Sequence, residues 1–424
     1  MEQNLYQTYL DILKEELMPA MGCTEPIAVA YAGALARKTL GAMPEKTVLT
    51  VSSNIIKNVK SVIVPHTGGQ KGLRTAVAVG ICCGDAEKEL EVISDVKPEA
   101  LPAMEDFLRS AQLEVKEAAS DIPFDIQVRL SAGEDTAFVR IVDQHTNVVR
   151  LEKNGEVLVD KPFSEAVPQA PENRRLLTVE NIVAFADEVE IDDVKALLQR
   201  QIDYNLAIAQ AGLREKYGAN IGRILLRSYG NSVQNRAKAW AAAGSDARMN
   251  GCELPVVINS GSGNQGITAS VPVIIYAGEC HVSEELLYRA LVVSNLVTIH
   301  LKTGIGSLSA YCGATSAGAG AGAGICYLYG GKYDEIAHTI VNTLAINSGM
   351  ICDGAKASCA AKIASAVEAG LLGWQMNVHD SQFYGGDGIV VKGVENTIRA
   401  VSDLAREGMR ATDDKIIRLM MENG

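Results

Sequence analysis

Residues 313–329 read GATSAGAGAGAGICYLY, and no other stretch of the chain limits its possible folds so sharply. The run carries no charge and is dominated by Gly and Ala. A membrane-spanning helix needs ~20 predominantly apolar residues. This run is mostly small residues, and Lys332 and Asp334 follow it closely. The reading is therefore a helix packed tightly inside a soluble helical core. Composition agrees with a folded chain: 424 residues are 47% apolar and 21% charged, which excludes wholesale disorder. At roughly 100–200 residues per domain, two or three domains are expected.

Lys plus Arg is 39 and Asp plus Glu is 51, a net charge of −12. That excludes a general nucleic-acid binder, because phosphate contacts need clustered Lys and Arg. The N-terminal MEQNLYQTYLDILKEELM is acidic and amphipathic, without a basic n-region or an apolar h-region, so no signal peptide is expected. A cytoplasmic location follows as the default, with the nine cysteines reduced. Nine is odd and the spacings are wide, a poor disulfide framework.

Apolar spacing at Tyr6, Tyr9, Leu10, Leu13 and Leu17 predicts a first helix. Pro19 and Gly22 end it, and Thr24 and Pro26 predict a second helix from about Glu25 with Cys23 just ahead of it. Residues 47–64 read as two short strands, followed by a Gly-rich turn at 65–72 and helix to about Glu91. Within 92–160, strands are expected at VISDV, FDIQVRLSA, AFVRIVD and NVVRLEKNGEVL, with a helix near 99–117 and a hairpin at Asn154-Gly155. Pro162, Pro168 and Pro171 mark a linker at 161–173. Helices are expected at 178–189, 191–216, 283–301, 332–348 and 355–371; at 255–275 two apolar runs flank a polar loop. The fold class is α+β. A segment 1–91 is α/β, 92–172 is an inserted α+β subdomain with its linker, and 173–424 is a mainly helical domain.

Four constellations could carry chemistry. Cys352 and Cys359 are seven apart, two turns and one face if helical, and Cys312 lies forty residues upstream. Three thiolates without a fourth partner would leave a metal site open, but on spacing alone burial in the core is the simpler reading. Cys23 at a helix N-terminus sees the positive end of the dipole, which lowers a thiol pKa, while Glu25 opposes that. A small residue in a tight turn is the equal alternative. The run Ser260-Gly261-Ser262-Gly263-Asn264-Gln265-Gly266 offers many donors at close approach and suits a carboxylate or phosphate. Arg248, in Ser245-Asp246-Ala247-Arg248, could clamp an acidic substrate or sit in a surface ion pair. His66-Thr67 could supply an imidazole donor; the other histidines, His145 among them, form no metal spacing.

Gly22-Cys23-Thr24-Glu25-Pro26, Ser245-Asp246-Ala247-Arg248-Met249, Asn259 to Gly266 and Gly349-Met350-Ile351-Cys352-Asp353-Gly354-Ala355 together resemble the L-cysteine desulfidase family, which is related to the iron–sulfur L-serine dehydratases. The motifs and Cys359 span residues 22 to 359 in the same order. The resemblance implies a [4Fe–4S] enzyme that works without pyridoxal phosphate. Cys312, Cys352 and Cys359 would hold the cluster, with one iron left for substrate, and Cys23 would be the base. Where the serine dehydratases carry a Ser-Ser-His-Thr loop, this chain has Val64-Pro65-His66-Thr67. Their cluster cysteines are also spaced differently.

The expected reaction is β-elimination on a small L-amino acid, L-cysteine first and L-serine as the alternative, giving pyruvate and ammonia. Thr24, Glu25, Arg248, Ser260, Gly261, Ser262, Asn264 and Gln265 are the expected substrate contacts. No nucleic-acid or membrane partner is expected, and a homodimer is the assembly considered. Two other readings stand beside this one. A pyridoxal-phosphate eliminase would need a Schiff-base lysine, for which Lys238 is available, and a phosphate loop, for which 318–324 is available. A non-catalytic cluster-bearing cysteine sensor would have no need of a base at Cys23.

Overall fold

The computed structural model describes residues 1–120, 122–163, 171–306 and 308–422. The Gly/Ala run is a helix, Gly313–Leu328, buried from Ala314 to Leu328. Its glycines are contact points for two neighbouring helices. A Cβ on Gly318 would lie 2.3 Å from the Ala366 carbonyl oxygen, and one on Gly322 would lie 2.7 Å from that of Gly370, both on the Cys359–Val378 helix. On another side, Cβ atoms on Gly320 and Gly324 would meet Thr298 Oγ1 at 2.1 Å and the Ala290 oxygen at 2.9 Å, on the Glu284–Ile305 helix. Each glycine costs its helix about 1 kcal/mol relative to Ala. The direct approach of backbones offsets that cost, so the run needs no lipid to explain it. No helix among the described residues is long and apolar enough to cross a membrane. Helices Gly263–Cys280 and Tyr333–Asn347 complete the layer around this one, and Val233–Met249 packs beyond them on Gly263–Cys280 and Cys359–Val378.

Eight strands accompany the helices among the described residues: β1 (Pro19–Met21), β2 (Lys46–Val51), β3 (Gln112–Glu117), β4 (Asp125–Ala132), β5 (Asp135–Val142), β6 (Val148–Lys153), β7 (Glu156–Asp160) and β8 (Pro255–Val257). Six form a sheet in the order β3-β2-β4-β5-β6-β7, with β2 parallel to β3 and every other pair antiparallel. The Asn154-Gly155 hairpin between β6 and β7 is present, with both residues at positive φ. The α+β class holds. Because β2 sits inside this sheet, the sheet crosses the expected boundary at 91/92.

Several local expectations need correction. Residues 53–59 form a helix instead of a second strand, started by Ser52, whose Oγ accepts from the Ile55 amide at 3.4 Å. Residues 92–96 are turn and not strand. The helix expected over 99–117 stops at Ser110, and its last part becomes β3, paired with β2, more than sixty residues upstream. The second apolar run of 255–275 is helical, Gly263–Cys280, since an unbroken apolar run does not distinguish a buried strand from a buried helix. The helix expected at 355–371 runs from Cys359 to Val378. Within the linker expected at 161–173, residues 164–170, Pro168 included, lie outside the described residues.

Two features position the site. β1 pairs antiparallel with β8, Pro19 opposite Val257, which carries Cys23 to the polar loop that follows β8. Gly22 makes the turn between β1 and the next helix at φ +62, and a Cβ there would strike the Pro65 ring at 2.3 Å. Beneath the loop, buried amides hold the chain: Gln201 and Asn295 exchange hydrogen bonds, Asn295 accepts from Asn259, and Asn205 bonds Val257 through both its amide groups. A satisfied network of this kind fixes one backbone path.

Candidate active site

A cavity of about 110 Å³ lies where these elements meet. Nine of the residues singled out from the sequence line it: Cys23, Glu25, Arg248, Ser262, Asn264, Gln265, Cys312, Cys352 and Cys359. Thr24, Ser260 and Gly261 do not. They form a layer behind it, in which Thr24 Oγ1 donates to the Gly261 carbonyl at 2.9 Å and Ser260 Oγ to Asn259 Oδ1 at 2.9 Å. His66 is also outside, its imidazole 3.2 Å from the Met21 sulfur and 3.4 Å from Glu253.

Cys23, not Thr24, is the N-cap of the Thr24–Leu40 helix. Its Sγ donates to Glu25 Oε2 at 3.1 Å, and Glu25 also accepts from Thr24 at 3.2 Å and from Asn58 at 3.4 Å. The lowered thiol pKa expected from the helix dipole is not found. Burial, then the Glu25 charge, push the Cys23 thiol well above its ordinary value, against the Arg248 cation. At 2% exposure, desolvation outweighs the dipole.

Ser262 caps the Gly263–Cys280 helix, its Oγ accepting from the Gln265 amide at 3.5 Å. Asn264 and Gln265 thereby face the cavity from a helix N-terminus. Arg248 enters from the last turn of the Val233–Met249 helix, close over Gly263, where a Cβ would lie 2.3 Å from Arg248 Nε and displace it. Three buried atoms here have no partner among the described residues: Arg248 Nε, Asn264 Oδ1 and Gln265 Oε1. Buried polar atoms are normally bonded. A group of unbonded ones facing a cavity is what a polar ligand would satisfy.

The cysteine end is assembled from loops. Residues 311 and 351 form a bridge, with the Cys312 amide donating to Met350 at 3.0 Å and the Cys352 amide to Ala310 at 2.6 Å. This clasp, and not helical periodicity, brings Cys312 and Cys352 together. Cys352 precedes the helix, and Cys359 is its first residue. The neighbouring Cys312 thiol, then Lys57, the Gly354 amide and Lys302, draw the Cys352 thiol down to about 6 against burial. Cys352 in turn, with burial, pushes the Cys312 thiol well above its ordinary value. All three cysteines are free thiols. Lys57, Lys302 and Lys362 line the same cavity. Lys57 pairs with Asp413 and Lys362 with Asp353. Burial brings Lys302 down to about 8, with the charges of Cys352 and Cys312 pulling the other way.

Among the described residues no group of three His, Cys, Asp or Glu is close enough for a single metal ion. A multi-iron cluster binds each thiolate at its own iron, so its cysteines stand further apart. Three free thiols on one cavity, one of them drawn towards thiolate, with buried lysines to balance charge, fit such a group.

Sequence reasoning missed Lys57, Asn58, Lys302 and Tyr311. The one available signal was Lys302, a single cation closing the apolar stretch ALVVSNLVTIHL. The pyridoxal-phosphate alternative loses both its parts. Lys238 pairs with Glu368 and does not line the cavity, and 318–324 is packed helix without a loop for phosphate.

The family model described as serine dehydratase alpha chain matches residues 87–418. A relative in Desulfitobacterium hafniense strain Y51 is 59% identical over 420 residues, covering 99% of this chain and 98% of its own. One in Lachnoclostridium phytofermentans is 49% identical over 417 residues, 98% of this chain and 100% of the relative. One in Treponema denticola is 45% identical over 431 residues, with both chains fully covered. All three are named UPF0597 protein. Arg248, the 260–266 loop and the three cavity cysteines fall inside the matched region; Cys23, Thr24 and Glu25 precede it.

Proposed function

Since the chain belongs to the serine dehydratase alpha-chain family, we propose that it is a cytoplasmic lyase that β-eliminates a small L-amino acid, L-cysteine before L-serine. The observation that supports this most is the composition of one cavity. Three cysteines, a buried arginine, two unbonded amides, a carboxylate and a fourth thiol line it together. In this reading Cys312, Cys352 and Cys359 hold a [4Fe–4S] cluster. When bound, such a cluster supplies a Lewis-acidic iron for the departing sulfur or oxygen.

The chain's own residues do the rest. Arg248 takes the α-carboxylate, assisted by the donors of Ser262 and the helix N-terminus behind it. Glu25 takes the α-ammonium. Cys23 Sγ, which at rest donates to Glu25 Oε2 at 3.1 Å, removes the Cα proton once its own proton has been lost to solvent through the cavity. An ammonium bound beside Glu25 cancels the carboxylate charge that holds the thiol protonated, so substrate itself prepares the base. The aminoacrylate formed tautomerises and hydrolyses to pyruvate and ammonia.

The test is iron and acid-labile sulfide per chain on anaerobically purified protein, with sulfide release from L-cysteine and ammonia release from L-serine measured in parallel. A loaded cluster with sulfide release is expected. Ammonia from serine alone would move the substrate to serine. A loaded cluster without turnover of either would favour the sensor, and no iron after reconstitution would end the cluster reading.

A further inference from the structure

We propose that His145 is a positioning residue for the substrate site: it carries a contact from the six-stranded sheet onto Gly261 and so holds the 260–266 loop in the shape that presents its polar groups to substrate. This rests on the lyase reading above and gives the sheet a part in it. His145 stands in the turn 143–147 between β5 and β6. That turn is firmly built. Asp143 adopts φ +69, its amide donates to the Phe124 carbonyl at 3.1 Å, and Asn147 Nδ2 donates to the Val142 carbonyl at 3.0 Å. The imidazole then fits between two groups. On one side it meets the Phe124 ring edge to face, with centroids 4.8 Å apart. On the other it lies against Gly261, where a Cβ would be 3.0 Å from His145 Cε1 and 3.4 Å from Nδ1.

Ser260 and Gly261 have consecutive positive φ values, +49 and +75, and a serine keeps such a conformation only where its surroundings impose it. The Asn259–Asn295 bond supplies part of that constraint, and Thr24 Oγ1 supplies another at the Gly261 carbonyl. The His145 ring is a third. The next residues give the constraint its use. Ser262 caps the following helix, and Asn264 and Gln265 line the cavity with unbonded oxygens. A shift at 261 is therefore felt a few residues on, at atoms that would meet substrate. The Thr24–Leu40 helix, with Cys23 at its N-cap, packs on β4, β5 and β6. The sheet thus touches both halves of the site, the helix directly and the loop through His145. Nε2 of His145 is buried without a partner among the described residues. Burial holds the imidazole below its ordinary pKa, with Glu25 pulling up and Arg248 pulling down. The ring is neutral and Nε2 bonds nothing, so what the site uses is the seat of the ring on Gly261.

The competing assignment makes His145 a packing residue of the sheet, which would move stability alone. Calorimetric binding of L-alanine to anaerobically purified protein separates the two, because L-alanine has the carboxylate and ammonium of the substrate and no leaving group. His145→Ala and Gly261→Ala should each weaken L-alanine about tenfold with iron per chain unchanged, and the double variant should stay within about threefold of Gly261→Ala, since the atom that the new Cβ strikes is gone. With L-cysteine, His145→Ala should raise KM by the same factor and leave kcat within about threefold. His145→Phe, whose ring can take the same seat, should keep the affinity within about threefold and, with no unbonded nitrogen to bury, melt no lower than wild type. Wild-type affinity in His145→Ala, losses that multiply in the double variant, or a His145→Phe as weak as His145→Ala overturns the proposal. If His145→Ala does not fold, wild-type affinity in Gly261→Ala overturns it. Absence of sulfide release with L-alanine still bound would sink the lyase reading and leave the His145 contact measurable; a wild type that binds neither L-alanine nor L-cysteine would overturn both.

Discussion

Among the residues around the three cavity cysteines, Lys57 has Asp413 and Lys362 has Asp353; among those around Arg248, Arg248 Nε, Asn264 Oδ1 and Gln265 Oε1 have no partner among the described residues. One set is largely balanced; its exceptions among the described residues are Lys302, which has no carboxylate partner, and Tyr311 Oη, which is buried and unbonded. The other is complete only with something bound. The contrast separates a place built to hold a resident group from a place built to receive a passing one. It also says how each should respond to mutation: the first through loss of contents, the second through loss of affinity.

The largest effect is expected in the balanced set. Cys352→Ser should abolish iron retention and turnover together while the far-ultraviolet dichroism is unchanged; iron at the wild-type level would break the comparison. In the open set, Arg248→Met should keep its iron and lose 30- to 100-fold in kcat/KM, as expected for a charged contact worth about 2–3 kcal/mol. Because that cation is buried and unpaired, the ligand-free variant should melt no lower than wild type, and a drop of many degrees would show that Arg248 is already satisfied. Gly263→Ala should act on the same guanidinium more mildly, displacing it with a Cβ and raising KM about tenfold with little change in kcat.

The smallest effect concerns Asp246, whose Oδ1 is also unbonded and whose carboxyl burial pushes up to about 6, against the amides of Gly222 and Ile221. The folded state holds this proton more tightly than the unfolded chain does, so the group's contribution to stability falls as pH rises from about 4 to about 6. Asp246→Asn should match wild type at pH 4 and melt a few degrees higher above pH 6. Parallel melting curves across that range would show that the buried Asp246 carboxyl carries no such cost.

What could be read from the sequence follows the range of the interactions. Cys312, Cys352 and Cys359 were legible as a motif, but not as geometry. The spacing of 352 and 359 put both on one face only if that segment were helical; Cys352 lies ahead of the helix, and the clasp between residues 310–312 and 350–352 is what brings Cys312 to Cys352. The polar loop was legible because seven such residues between apolar runs are unusual in themselves. β3 was misread as helix because its reason for being a strand is β2, far upstream in the chain. Lys57 was invisible for the same cause, its counter-charge being Asp413, 356 residues away. The dipole argument at Cys23 erred in sign because burial and the neighbouring carboxylate together exceed it.

The Lys57–Asp413 pair also sets a schedule for making the protein. Synthesis runs from the N-terminus, and early segments ordinarily fold while later ones are still being made. Here Cys23 and Lys57 must wait for Cys312, Cys352 and Cys359, and Lys57 must then wait for Asp413, 356 residues further along the chain. No nascent chain that stops short of Ile363 has the full set of walls. Any group held by those walls would therefore be delivered only after that residue has been made.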